Sequence, residues 1–522
     1  MFSTTNILSI ILGVFALRIY GHLFRHPLSR FPGPLLAKCT VWYRAYYDIV
    51  GKGAWIRHLQ TLHALYGPII RVGPNELHFS DPRAHGEIYG SGSRFHKDPV
   101  LYGIFGTAPT VFNTLDPQEA AAMRNLLLSY LSRHAVMQRE AVIRGKVLKL
   151  ISRLKSFTLE SGKVANLDQA LPSASLDVLT ALVFCQSFNV LDAPMFEHPF
   201  VYRRKPSMLN LWIMKYLPSQ RIFALGAITR FMRRMNPGAS AMENQIRIIT
   251  NELDVTRKEL DTSVQAESRT DIPLFNYLFR RIQELTTKPG KSAKTLRRLQ
   301  DLLEPTRLVA EGLNIRFAGT DTVANACIVG IQYLLTHEEI LGRLVEELGQ
   351  AWPTDRDLSY EELEKLPYLT AVIKESLRLS HGVVTPMGRV VGPEEAVIMG
   401  ERIPAGTIVG MSAIYVHLNS ELFPEATRFD PERWLNRPSR TETTTEINSD
   451  KYLVSFGRGP RSCVGFHLAW CELYLIFGYL FRKLELELAN EQDPDGHLDF
   501  DDSFTPVFNG CPPLVFVKER DL

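Results

Sequence analysis

The feature that most constrains this chain of 522 residues is the segment Phe456–Gly465, which reads FGRGPRSCVG. Glycines such as Gly457 and Gly465 allow tight turns and let the backbone approach a flat ligand closely, because they lack a Cβ atom. Arg461 carries a planar guanidinium that can bind a carboxylate through two hydrogen bonds. A cysteine thiolate binds metals strongly. The segment therefore suits Cys463 as the axial thiolate ligand of a haem iron, with Arg461 bound to a haem propionate.

Two other interpretations of Cys463 remain open at this point. His467 and Cys471 follow it at four-residue spacing, which would place the three side chains on one helix face as zinc ligands. No CxxC pair or second cluster of cysteine and histidine supplies a fourth ligand, so zinc is the weaker interpretation. A buried structural cysteine is the other alternative. The six cysteines of the chain are scattered, which does not indicate a disulfide framework.

A second unusual segment lies in the middle of an apolar run. The pattern from Leu308 to Leu335 predicts a long helix, and it contains Ala318-Gly319-Thr320-Asp321-Thr322. Glycine inside a helix costs about 1 kcal/mol relative to alanine, so a specific role is expected for it. A threonine bonded back to its own helix would explain Thr322 equally well.

Two further motifs stand between these segments. Glu375 and Arg378 are three residues apart, on one face of a predicted helix, where such pairs are commonly solvent-exposed. The sequence Pro431-Glu432-Arg433-Trp434 follows, and then the cysteine segment.

The order of these motifs resembles the cytochrome P450 family. The chain matches its signature FxxGxRxCxG, the extension CxGxxLAxxE through Leu468, Ala469 and Glu472, the motif [AG]Gx[DE]T, and ExxR. The resemblance extends from about Pro27 to the C-terminus. It implies the cytochrome P450 fold, which is mainly α with a small segregated β region, and the same class is indicated by helical patterns with clustered short strands.

The resemblance also implies roles for individual residues. The cofactor would be haem b (iron protoporphyrin IX) with Cys463 as its iron ligand, and the other haem-binding residues would be Arg461, Arg124, Arg389, Phe456, Gly457, Gly465, Ala318 and Gly319. Asp321 and Thr322 would be catalytic, delivering protons from an unwound helical turn. Glu375, Arg378 and Arg433 would form a buried ion network. The family pattern has an aromatic residue or histidine where this chain has Ala120, which removes one expected haem contact.

The implied reaction is monooxygenation of a hydrophobic small molecule. Because no flavin- or nicotinamide-binding fingerprint is found, electrons would come from a separate NADPH–cytochrome P450 reductase, drawn to basic groups such as Arg458 and Lys451. The variants HPLSRFPGP, LRLSHGVV and PERWL resemble P450s of filamentous fungi that oxidise terpenoid, polyketide or alkaloid intermediates. Alternatives are a reductase-independent isomerase or dehydratase, which would be expected to lose Asp321 and Thr322, and a non-catalytic haem-thiolate binding protein.

The N-terminus predicts membrane attachment. Residues 6–24 are mainly apolar, close to the roughly 20 residues of a membrane-spanning helix, and Arg18, Arg25 and Arg30 lie on their C-terminal side. We expect a single-pass anchor over 1–26 in the endoplasmic reticulum membrane, a proline-rich hinge over 27–36, and a cytosolic catalytic domain over 37–522. A cleaved signal peptide would need positive charge before the apolar run, which is absent.

Charge and hydropathy patterns give further predictions for the catalytic domain. A net charge of +3 does not favour nucleic acid as a partner. Helical patterns cover 37–65 and 360–379, and short strands are expected at 69–72, 390–399, 408–411 and 514–517. The substrate-facing segments would be 102–112, the helix before Gly319, 383–387 and 504–508. Residues 211–223 would form either a membrane-dipping segment or a buried helix pair.

Overall fold

Helices form most of the chain. A computed structural model describes residues 4–106, 108–184, 187–202, 211–217, 237–262, 272–289, 292–435, 448–492 and 499–520. The α-helices with given bounds are α1 Thr4–Tyr20, α2 Leu35–Cys39, α3 Trp42–Ala45, α4 Trp55–Tyr66, α5 Pro82–Tyr89, α6 Pro99–Gly103, α7 Pro117–Tyr130, α8 Arg133–Gln138, α9 Glu140–Leu154, α10 Leu167–Val183, α11 Pro199–Tyr202, α12 Pro237–Thr262, α13 Leu274–Thr287, α14 Ala293–Asp301, α15 Pro305–Thr336, α16 Glu338–Ala351, α17 Tyr360–Leu363, α18 Pro367–Leu379, α19 Ile414–His417 and α20 Phe466–Lys483. A short helical stretch also covers 211–216.

The strands form small separate sheets. They are β1 Ile69–Gly73, β2 Glu76–Phe79, β3 His96–Lys97, β4 Ala165–Asn166, β5 Arg389–Val390, β6 Ala396–Ile398, β7 Glu401–Ile403, β8 Ile408–Gly410, β9 Leu484–Leu488, β10 Phe500–Ser503, β11 Thr505–Phe508 and β12 Leu514–Glu519. The largest sheet has five strands in the order β1-β2-β8-β5-β3, in which only the β2–β8 pair is parallel. The others are β4-β12-β9, β6-β7 and β10-β11.

This arrangement confirms the predicted mainly α class with a segregated β region. The strands expected at 69–72, 408–411 and 514–517 appear as β1, β8 and β12. The helical pattern predicted over 37–65 is confirmed, with a turn at Gly51–Gly53 that separates α4 from the shorter helices before it. Gly53 has a φ of +92°, and a Cβ atom there would lie 2.5 Å from the carbonyl oxygen of Asp502, so only glycine fits this turn. Pro367 likewise begins α18 and separates it from α17.

The long helix α15 crosses the largest hydrophobic core. It packs against α10, α18 and α20, whose buried faces are rich in leucine, isoleucine and phenylalanine. The approach to α10 is close, because a Cβ atom on Gly319 would lie 2.8 Å from Cδ1 of Leu179. Gly319 therefore has a packing reason to be glycine, and α15 is fixed against its neighbours where it passes the cavity described below.

The N-terminal region packs onto the body after α1. Leu28 and Phe31 are buried, and the main-chain nitrogen of Arg71 in β1 donates to the carbonyl of Pro32 at 2.7 Å. A Cβ atom on Gly33 would overlap that strand, at 2.3 Å from the carbonyl oxygen of Arg71. Within the described part of the chain, no helix combines the length and hydropathy needed to cross a membrane.

Candidate functional site

A large, mainly apolar cavity lies beside α15 and the cysteine segment. Its volume is about 330 Å³, within the range of about 300–1,000 Å³ common for pockets that hold a small molecule. Its lining includes all nine residues predicted to bind the cofactor and both predicted catalytic residues: Phe456, Gly457, Arg461, Cys463, Gly465, Arg124, Arg389, Ala318, Gly319, Asp321 and Thr322.

The cysteine segment is a compact loop that leads into α20. Gly457 and Gly459 have φ values of +64° and +65°, and a Cβ atom on Gly459 would lie 2.5 Å from the carbonyl oxygen of Tyr89. The main-chain nitrogen of Cys463 donates to the carbonyl of Phe456 at 2.8 Å. Burial raises the pKa of the Cys463 thiol, while the Gly465 amide and Arg124 lower it. The loop thus presents the Cys463 side chain to the cavity, beside a main-chain amide and a guanidinium that favour its thiolate against the effect of burial.

Four cations surround this part of the cavity. Arg124 donates to the carbonyl and hydroxyl of Ser462, at 2.6 Å and 3.1 Å, and Arg389 donates to the hydroxyl of Tyr102. Arg461 and Lys97 complete the group. None of the four forms an ion pair with a carboxylate among the described residues. Burial and the neighbouring arginines lower the pKa values of Lys97 and Arg461, so the cluster favours an added dianion. A haem, with its two propionates and a need for one thiolate ligand, fits this donor set.

Lys97 is the member that sequence reasoning missed. It is 5% exposed, and its Nζ donates to the carbonyls of Val111 and Phe112. Burial and the nearby arginines, led by Arg461, lower the pKa of Lys97 to about 7. The antiparallel pairing of β3 with β5 places Lys97 directly opposite Arg389. No motif marks a two-residue strand, so the pairing of these residues was not readable from the sequence.

Helix α15 has no unwound turn where it lines the cavity. The helix is continuous from Pro305 to Thr336, so the predicted unwound turn is wrong. The Thr322 hydroxyl donates to the carbonyl of Ala318 at 2.9 Å, and the Thr320 hydroxyl donates to that of Arg316 at 2.7 Å. Both bonds supplement the helical ladder without opening it. Asp321 is buried and lies within electrostatic range of Arg316.

Glu375 is the centre of a fully buried ion network, as predicted. Arg378 binds it through Nε and Nη2 at 2.9 Å and 2.7 Å, and Arg433 binds it through Nε at 2.9 Å. The indole of Trp434 and the main-chain nitrogen of Asp430 also donate to this carboxylate, each at 2.9 Å. These hydrogen bonds and both guanidinium groups hold the pKa of Glu375 below its ordinary value despite burial.

His417 links this network to the cysteine loop. Arg378 donates to its carbonyl at 2.8 Å, and its ring Nε2 accepts the main-chain N–H of Val454 at 3.0 Å. Burial and neighbouring charges keep the pKa of His417 well below its ordinary value, so the ring is neutral and can accept. A second link runs from the hydroxyl of Ser455 to the carbonyl of Leu377 at 2.8 Å. The network therefore supports the backbone directly before the cysteine segment.

The predicted substrate-facing segments all line the cavity, through residues such as Phe112, Phe317, Val383 and Phe504. Residues of α7, α10 and α13 also line the cavity, and sequence reasoning missed them because a helix in the core has the same apolar residues: Leu127, Tyr130, Leu179, Leu182, Val183 and Leu274. In the 211–217 segment, Trp212 is buried, and the side chain of Lys215 is 7% exposed. The remainder of the predicted 211–223 segment lies outside the described residues.

The geometry does not support a zinc site at Cys463, His467 and Cys471. Cys471 is buried in the main core, whereas Cys463 lines the cavity. Across the described ranges, no group of three or more histidine, cysteine or acidic side chains could hold a metal ion.

Glu472 provides a test of the cavity's electrostatics. It is 1% exposed, lines the cavity, and has its pKa raised to about 8 by burial. The carboxyl of an unfolded chain titrates near 4.5, so between these values the folded protein retains a proton that the unfolded chain has lost. Stability therefore falls as the pH rises through this window.

We expect Glu472→Gln, which is neutral at every pH, to gain thermal stability relative to the native protein as pH increases. Its unfolding temperature should exceed that of the native protein by a few degrees more at about pH 9 than at about pH 5. Calorimetry of both proteins at the two pH values measures this. An equal difference at both would contradict the raised pKa.

The family model of the cytochrome P450 family matches residues 45–505. The chain is a cytochrome P450. Among curated relatives, this P450 is 31% identical to the cytochrome P450 monooxygenase macH of Penicillium terrestre, over 97% of its own length and 95% of the relative's. It is 32% identical to the tryptophan 6-hydroxylase fscE of Fusarium equiseti, over 97% and 94%. It is 33% identical to the conidiogenone synthase PchP450 of Penicillium rubens, over 89% and 88%.

These matches confirm the predicted family, fold and enzyme class. The protein is an oxidoreductase, a haem-thiolate monooxygenase whose relatives are monooxygenases of fungal secondary metabolism. As in P450 monooxygenases generally, it takes electrons from a redox partner and acts on a small molecule.

Proposed function

We propose that this P450 holds haem b in the cavity, with Cys463 as the iron ligand, and hydroxylates, epoxidises or otherwise oxidises a hydrophobic small molecule. The observation that carries the proposal is the shared cavity, which joins the Cys463 sulfur, unpaired cations and apolar walls. When bound, a thiolate-ligated haem supplies the activation of dioxygen. The protein's own residues bind the cofactor, supply protons and position the substrate.

The haem-binding roles follow from charge and position. Arg124, Arg389 and Arg461 would bind the propionates, and Lys97 would add a fourth charge. In this proposal Lys97 compensates for Ala120, which lines the cavity but has no polar group. Phe456, Gly457, Gly465, Ala318 and Gly319 would contact the macrocycle.

Asp321 and Thr322 would deliver protons. Thr322 lines the cavity, and its hydroxyl donates to the Ala318 carbonyl at 2.9 Å, which leaves the oxygen free to accept a hydrogen bond from a proton-carrying group while the helix remains closed. Asp321 is the buried acid beside it.

Replacing Thr322 by alanine is expected to leave haem binding intact and to waste electrons. The fraction of NADPH electrons recovered in product should fall by about tenfold or more, and hydrogen peroxide should rise correspondingly, because a positioned proton donor is lost. Thr322→Ser keeps the hydroxyl and should retain coupling. Thr320→Ala is a matched control, since the Thr320 hydroxyl makes the same kind of bond, to the Arg316 carbonyl, but Thr320 does not line the cavity. Coupling equal to that of the native enzyme in Thr322→Ala would contradict the role.

The substrate would be a terpenoid, polyketide or alkaloid intermediate. Support comes from the apolar walls and from relatives named for such different products as a conidiogenone synthase and a tryptophan 6-hydroxylase. The electrons would come from NADPH–cytochrome P450 reductase, with exposed Lys451 as one docking group. Arg458 lines the cavity and is half-buried, which leaves it less available to a partner.

We further propose an anchor over 1–26, a hinge over 27–36 and a catalytic domain over 37–522, held at the endoplasmic reticulum membrane with the body in the cytosol. The support is the set of exposed apolar side chains on α1, which includes Leu12, Phe15 and Leu17, followed by Arg18 and Arg25.

Expression beside a reductase in a metabolite-producing fungus tests the function. We expect a new product that carries one oxygen atom from labelled dioxygen, absent when Cys463→Ala replaces the native enzyme. Product formation that continues equally well after deletion of the reductase would favour a reductase-independent isomerase or dehydratase. Haem binding without any oxygen-dependent product would favour a binding protein.

A further inference from the structure

The cavity wall contains a side-chain amide held in one orientation. Asn314 lies on α15, one turn before Ala318 on the same side of the helix, and it lines the cavity. Its Nδ2 donates to Oε1 of Glu311 at 3.2 Å. No hydrogen bond from a described residue reaches its Oδ1. The amide therefore has an available acceptor where the surrounding wall is apolar.

Glu311 fixes this orientation. Its side chain is fully buried, and its Oε2 accepts the main-chain N–H of Val111 at 2.8 Å. The carboxylate is thus held between α15 and the 102–112 segment, and its second oxygen can only accept when it is ionised. Burial raises the pKa of Glu311 to about 7, while the Val111 amide, Asn314, Arg307 and Lys97 favour the charged form. An ionised Glu311 requires the NH2 group of Asn314 to face it, and so turns the oxygen away.

Two hydroxyl groups of the cavity wall near α15 are engaged in hydrogen bonds. Thr385 donates to Oδ1 of Asp502, and Thr322 donates to the Ala318 carbonyl. In an apolar pocket, a few fixed polar groups decide how a ligand is oriented. An acceptor that stays unpaired when a ligand excludes water disfavours that ligand.

We propose that Oδ1 of Asn314 accepts a hydrogen bond from a hydroxyl group of the substrate. The inference rests on the proposed haem site and narrows the substrate class to hydrophobic molecules that already carry a hydroxyl. The enzyme then acts after a step that introduces or exposes an alcohol, such as an earlier hydroxylation, a carbonyl reduction or an ester hydrolysis.

The test uses imidazoles with alkyl tails, whose ring nitrogen binds haem iron whatever the natural substrate is. Each tail ends in methyl, hydroxyl or methoxy, over a series of lengths, and binding is followed by the shift of the haem absorption band. The pH is about 8.5, where Glu311 with a pKa of about 7 is ionised. At one tail length we expect the hydroxyl ligand to bind about tenfold more tightly than both others.

The matched variants are Asn314→Leu, which keeps the size of the side chain, and Thr505→Val, which removes another polar group of the lining. Asn314→Leu should lose the hydroxyl preference, and Thr505→Val should keep it. A preference that persists in Asn314→Leu, or no preference at any length in the native enzyme, overturns the proposal. Methoxy binding equal to hydroxyl binding also overturns it, since methoxy can only accept. Absence of any imidazole spectrum in the native protein would instead contradict the haem site.

Discussion

Replacing Cys463 by alanine is expected to abolish the thiolate-type absorption band of the reduced carbon monoxide complex and to reduce product formation to background. Cys463 is a free cysteine that lines the cavity; burial raises the pKa of its thiol, while the neighbouring Gly465 amide and Arg124 favour the thiolate. A thiolate ligand increases electron density at the iron and favours cleavage of the O–O bond, which no alanine can do. Absorption spectra of the reduced protein with carbon monoxide measure the effect.

The control for this prediction is Cys511→Ser. Cys511 is also free and exposed, but it does not line the cavity. Its replacement should leave the thiolate-type band unchanged. Retention of the band in Cys463→Ala would refute the ligand assignment, and loss of the band in Cys511→Ser would show that the measurement reports folding rather than ligation.

Replacing Arg378 by alanine should destabilise the protein and release its haem. Arg378 and Glu375 are both fully buried, so removal of the guanidinium leaves a carboxylate with one remaining arginine partner and strands three carbonyls, those of His417, Ala426 and Arg428. Loss of one partner from a buried ion pair costs about 3–5 kcal/mol. Because His417 connects the network to the backbone before the cysteine segment, we expect reduced haem occupancy together with a lower unfolding temperature.

Arg428→Ala is a control from the same region. Arg428 pairs with Glu425, and both side chains are about two-thirds exposed. Exposed pairs contribute about 0–1 kcal/mol, so this variant should unfold near the native temperature and keep its haem. Unfolding temperature and the haem absorbance per protein are measured for both variants. Arg378→Ala with native stability and full haem content would show that the network does not support the cysteine loop.

Several parts of this protein could be predicted because short stretches of sequence determine them. The turn before Cys463 needs glycines that can adopt a positive φ. The sequence has Gly457 and Gly459 there, and both have a positive φ in the structure. The apolar run of α15 and the proline at the start of α18 are also local signals. Glu375 and Arg378 were assigned to a buried network from motif order, which the structure confirms.

Contacts between residues far apart in the sequence could not be predicted. Nothing near Lys97 in the sequence indicates that β3 pairs with β5, yet this pairing brings a fourth cation beside Arg389. Trp434 and His417 complete the Glu375 network through contacts across about 40 to 60 positions, which no local period encodes. The prediction of an unwound turn at Gly319 was wrong. Close packing of this glycine on Leu179 explains why the position needs glycine, and it does not require the helix to open.

The sequence by itself determined the family, because its motifs place a cysteine between glycines, a threonine in an apolar helix and a Glu-Arg pair in a fixed order along the chain. Only the tertiary structure decided what surrounds them. It placed apolar residues from several elements around one cavity, grouped four cations there, and oriented Asn314 against Glu311. Burial and charge clustering depend on distances between remote residues, so the pKa values and the selectivity of the cavity arise only when the chain is folded.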